Sequence, residues 1–211
     1  MTFSSIERAG LAQLFHLKGP DAPTLCEGWT TRDLAAHLWV REHHTAAQLG
    51  QRMAVLSNLL EKRTDEALAR DFDELVDAWA AGPRGLNPWR LLDPVANSLE
   101  HFIHHEDVRR GGWAPGDPVA SRELPREYEQ ILHRTISLIG SRILAPTVPV
   151  ILLPEGLPRI VIGDKPGVAE HGDDVVRIDA PMGELALWVC GRDAVDVAVS
   201  GSGEAIVRSG L

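Results

Sequence analysis

Apolar positions change their spacing near residue 145. Before that point they recur at the period of helices that bury one face, and after it short Val, Ile and Leu runs alternate with Gly, Pro and Asp. The pattern predicts an α+β protein, with a helical bundle domain over 1–145 followed by a small α+β domain over 146–211. In the first part, helices are expected over 3–18, from 31 toward 50, and over 65–81, 92–109 and 123–143. Their punctuation is local. Asp21-Ala22-Pro23 and Gly28 make a loop, Thr30 can cap the second helix with Asp33 in its first turn, Gly82-Pro83 and Gly111-Gly112 stop two helices, and Asn87-Pro88 belongs to a connector. The second part offers strands over 148–153, 159–162, 175–179, 184–189 and 195–199, with a closing helix over 203–209.

The 211 residues suffice to bury a core in either one domain or two. A hydrophobic share of 44% with 24% charged residues is that of a globular chain, and no 18-residue apolar stretch predicts a membrane span. The balance of 21 basic against 30 acidic residues, a net −9, repels phosphate backbones and argues against nucleic acid as a partner. Arg109-Arg110 falls at a helix C-terminus, where cations interact favourably with the backbone dipole. No cationic segment with a long apolar run opens the chain, and Cys26 and Cys190 lie far apart outside any CxxC spacing. Both features fit a cytoplasmic protein with free thiols.

The chemistry concentrates in two segments that hold four of the nine histidines: Asp33 to His37, and Glu100 to Asp107. In the second, Glu100/His104 and His101/His105 are each spaced i,i+4, the spacing at which one helix face can present two metal ligands. Placing residues at about 100° per step puts Leu92, Ala96, Leu99 and Ile103 on the core-facing stripe. Glu100 and His104 border that stripe, whereas His101 and His105 turn toward the polar side and are expected at the surface. On the preceding helix Leu34, Leu38 and Leu49 face inward, with His37 and His44 on one flank, so both are candidates for a third ligand from a facing bundle helix. Two imidazoles and a carboxylate suit zinc, and three protein ligands leave a coordination position for water or substrate.

At these residues the chain resembles the DinB-like superfamily, in its mycothiol-dependent maleylpyruvate isomerase branch found in actinobacteria. The resemblance rests on Gly28-Trp29-Thr30 followed by Asp33 and Ala36-His37, and on Glu100, His104 and Asp107 in an Glu-x-x-x-His-x-x-Asp arrangement. It implies a four-helix bundle over about 1–145 that holds a divalent metal through His37, Glu100 and His104, and it removes most of the ambiguity with His44. Past 145 the chain resembles the sterol-carrier-like module of the same group, with Leu187 to Arg192 and Val199 to Gly201 as landmarks. The resemblance also implies mycothiol as thiol cosubstrate and an isomerase or S-transferase reaction on an electrophilic small molecule.

Three further positions are expected near such a site. Asp107 is placed to orient a ligand histidine, Arg192 to anchor a substrate carboxylate, and His44 to flank the metal. Two other readings keep the metal: a hydrolase using metal-bound water, and a non-catalytic metal-binding or small-ligand-binding module. A monomer or homodimer is expected, and the substrate is not legible.

Overall fold

In a computed structural model, the structure describes residues 2–44, 57–82, 94–164, 175–201 and 206–208. It is a mixed α+β protein whose residues group into two compact units, Met1–Gly112 and Trp113–Leu211. The division falls at Gly112, although the sequence changes texture near 145.

The described helices of the first unit are α1 (Phe3–Lys18), α2 (Thr31–His43), α3 (Ser57–Leu68), α4 (Phe72–Ala80) and α5 (Pro94–Arg109). Thr2 accepts a hydrogen bond from the Ser5 N–H and starts α1, which ends at Gly19, a left-handed residue (φ 75°) whose N–H returns to the Phe15 carbonyl. The expected start of α2 is present as a reciprocal capping box: the Thr30 hydroxyl accepts from the Asp33 N–H, and the Asp33 carboxylate accepts from the Thr30 N–H at 2.8 Å. The single helix expected over 65–81 is instead two, because Asp71 caps a new start by accepting the Glu74 N–H at 3.1 Å. The continuation of α2 toward 50, Leu49, Asn87-Pro88 and Leu92 lie outside the described residues, as does the Ala96 side chain.

The core of this unit joins Leu11 and Phe15 of α1, Leu34 and Leu38 of α2, Leu75 and Trp79 of α4, and Val108 of α5. Phe15 meets Phe72 and Trp79 edge-on at 6.2 and 6.1 Å between ring centres. Beyond α5 the chain touches the loop before α2. A Cβ on Gly111 would stand 1.9 Å from the Pro23 carbonyl oxygen, so only glycine permits this approach. The Leu25 N–H donates to the Asp107 carbonyl at 3.0 Å in the same place, fixing the loop to the last turn of α5.

The second unit contains α6 (Arg126–Ile143), β1 (Leu144–Pro146), β2 (Val150–Pro154), β3 (Ile160–Ile162), β4 (Val176–Ala180), α7 (Met182–Val189), β5 (Ala198–Ser200) and β6 (Ile206–Arg208). Its four-stranded sheet has the order β3-β2-β4-β5, with β2 and β4 parallel and the other pairs antiparallel; β1 pairs separately with β6. Helix α6, expected in the helical domain, packs here against α7 and β3.

Two expectations fail in this unit. Residues 184–189 are helical, not a strand. All eight residues of α7 are buried, so no polar face marks the helical period, and a short continuous apolar run reads equally well as a buried strand. The closing helix over 203–209 is replaced, where described, by β6, whose Ile-Val-Arg segment pairs antiparallel with Leu144, Ala145 and Pro146. No described helix is long and apolar enough to cross a membrane.

Candidate metal centre

Helices α2 and α5 bring three separated side chains together. His37 projects from α2, and Glu100 and His104 stand one turn apart on α5; one ligand atom from each lies within 4.8 Å of the other two. His104 Nε2 is 3.1 Å from Glu100 Oε2, and the His37 and His104 rings meet edge-on with centres 5.6 Å apart. His104 is buried, while His37 and Glu100 are half-buried. Trp29, exposed in the loop before α2, sets its ring 5.2 Å from His37.

Electrostatics divide the two imidazoles. Burial, reinforced by the positive charge at His104 and opposed by Glu100, pushes His37 down to about 4, so at neutral pH it carries a free lone pair. His104 goes the other way. Burial opposes its charge, but hydrogen bonds with Asp107, Cys26 and Glu100 outweigh burial and hold it well above the ordinary 6.5. Glu100 is pulled below the usual carboxylate range: burial resists, and the bond to His104 and the Arg41 guanidinium prevail.

Asp107, fully buried, accepts a hydrogen bond from His104 Nδ1 at 2.9 Å. His44 does not join the cluster. It caps the C-terminus of α2 with its ring against Trp39 at 4.9 Å. Arg192 is buried in the second unit, where it donates to the Cys190 carbonyl at 2.6 Å.

The expected exposure of His101 and His105 is corrected. His101 is completely buried, with Nε2 donating to Glu42 Oε1 at 3.1 Å and Nδ1 2.9 Å from the Ser4 hydroxyl. His105 is largely buried against α1, where Nδ1 donates to Glu7 at 2.7 Å. The stripe construction assumed one buried face, but α5 is enclosed on several, with Ser98, His101, His104, Glu106 and Asp107 all buried.

One neighbour escaped the sequence reading. Arg41 reaches Glu100 at 3.1 Å; it is spaced i,i+4 from His37, a signal that was present in the sequence. Cys26, which on sequence is either a metal or redox residue or, by preference, a small partly buried hydrophobe, donates its S–H to Asp107 Oδ2 at 3.3 Å.

Two solved structures share this fold. They are crystal structures of the mycothiol-dependent maleylpyruvate isomerase and of a histidine-to-alanine mutant of it, each superposing with a TM-score of 0.58. Each alignment covers 99% of this chain and 93% of the other, at 15% identity for the first and 14% for the mutant. The likeness is one of fold. No family model and no curated protein matches the chain.

The donor set fits a divalent ion of zinc type. Ligand atoms in a tetrahedral zinc site are about 3.3 Å apart, and His104 Nε2 and Glu100 Oε2 already stand at 3.1 Å. One imidazole is uncharged, the second is oriented by a carboxylate, and the third donor is an anion.

Proposed function

We propose that this protein is a metal-dependent enzyme that uses a low-molecular-weight thiol, of the mycothiol type, to isomerise or S-conjugate an electrophilic small molecule. The observation that carries the reading is the convergence of His37, Glu100 and His104 within 4.8 Å, in a chain whose fold matches that of a mycothiol-dependent isomerase. The DinB-like character of the first unit belongs to the same reading.

His37, Glu100 and His104 hold the ion, most suitably zinc. When bound, such an ion acts as a Lewis acid that favours the thiolate form of a coordinated thiol. The chain's own residues prepare that site. His37 offers an uncharged ring nitrogen at neutral pH. Asp107 accepts from His104 Nδ1 and so turns Nε2 toward the ligand cluster. Arg41 holds Glu100 and sets positive charge at the edge of the cluster, where it favours an anionic thiol or substrate. Trp29 adds an exposed ring beside His37, against which an apolar part of a ligand can lie.

The test is turnover of small α,β-unsaturated acids by zinc-loaded protein, with and without added thiol. Product that forms only with thiol, and is lost in His37→Ala, supports the proposal. Thiol-independent hydrolysis of esters or amides that also needs His37 replaces it with a hydrolase.

A further inference from the structure

The His104 ring is engaged on both edges. Nε2 faces Glu100, and Nδ1 faces a second group made by Asp107 and Cys26. We propose that Cys26, Asp107 and Nδ1 of His104 form a second cation seat, selective for thiophilic ions such as cadmium, zinc or copper(I), distinct from the seat formed by His37, Glu100 and Nε2.

One donor atom from each of the three residues lies within 4.8 Å of the others. The distances approach those of a chelate. Sulfur and oxygen ligands on tetrahedral zinc are about 3.5 Å apart, and nitrogen and oxygen about 3.3 Å. Here Cys26 Sγ is 3.3 Å from Asp107 Oδ2, which is 2.9 Å from His104 Nδ1. An opening of roughly 0.2 to 0.4 Å converts these hydrogen bonds into coordination distances. As the ion enters, the Cys26 thiol and His104 Nδ1 each release one proton to solvent.

The local fold supplies the rigidity that such a seat needs. His104 and Asp107 are buried one turn apart on α5. The Leu25 N–H bond to the Asp107 carbonyl and the close approach of Gly111 to Pro23 clamp the loop that carries Cys26. Cys26 itself is only partly buried. Thiolate, imidazole and carboxylate together favour soft and borderline ions over magnesium or calcium.

The test is a cadmium titration of the full chain, followed by the thiolate-to-cadmium charge-transfer absorption in the ultraviolet. Wild type should develop the band to one equivalent. His37→Ala and Cys190→Ser should keep it, and Cys26→Ser should lose it while retaining the wild-type circular dichroism spectrum. Asp107→Asn keeps the thiol and should bind cadmium about tenfold more weakly. No band in wild type, an undiminished band in Cys26→Ser, or unchanged affinity in Asp107→Asn overturns the proposal. The thiol-dependent reading is tested separately: zinc uptake that needs His37 without any cadmium band leaves that reading standing and removes only the second seat.

Discussion

His104 and Asp107, one turn apart on α5, are joined by a 2.9 Å hydrogen bond from Nδ1 to a carboxylate that is completely buried. The bond aims Nε2 at Glu100, and through it the orientation of the candidate ligand depends on a residue that contributes nothing to that cluster directly.

Replacing Asp107 by Asn therefore weakens zinc binding at the His37 cluster by about 10- to 100-fold, the usual effect of losing a histidine's orienting partner. A competition titration against a chromophoric chelator measures it. Unchanged affinity would show that the His104 ring needs no such support.

The hub around Glu42 governs stability rather than metal. Its carboxylate accepts from Arg8 at 2.6 Å, the Trp79 indole at 2.9 Å and His101 at 3.1 Å, and so ties α1, α2, α4 and α5 together. His101→Ala leaves that buried carboxylate short of a partner and should cost about 3 kcal/mol in urea denaturation. Zinc stoichiometry should stay as in wild type. Loss of the ion would mean that His101 is a ligand after all.

Acid should act through the same residue. Burial tends to raise Glu42, but His101 and Arg8 outweigh it and bring it from 4.5 down to about 2. A depressed folded-state pKa contributes stability that is fully present above pH 4.5 and is lost as pH falls toward about 2. Between those limits the melting temperature of wild type should fall more steeply than that of Glu42→Gln. Parallel curves would remove Glu42 from the acid response.

Gly111→Ala places a methyl group 1.9 Å from the Pro23 carbonyl oxygen and must push the loop off α5. A loss of about 2 kcal/mol is expected, as for other overpacked positions. An unperturbed urea midpoint would show that the loop yields freely.

The parts of this protein that were legible in sequence are those with a local signature. Thr30 and Asp33 announced the start of α2, Gly111-Gly112 the end of α5, and the i,i+4 spacing of Glu100 and His104 a shared helix face. What escaped depended on tertiary surroundings. Helix α7 has no exposed face to reveal its period, and His101 and His105 are covered by α1, which no spacing within α5 can report. The choice between His37 and His44 was likewise open on spacing, and only the resemblance pointed to His37 before the structure set its ring beside His104.

The most direct measurement is the zinc stoichiometry of dialysed wild-type protein beside His37→Ala and His104→Ala, by elemental analysis with circular dichroism to verify folding. The account predicts that wild type binds one equivalent more than His37→Ala and that His104→Ala retains none. Equal zinc in wild type and His37→Ala would contradict it.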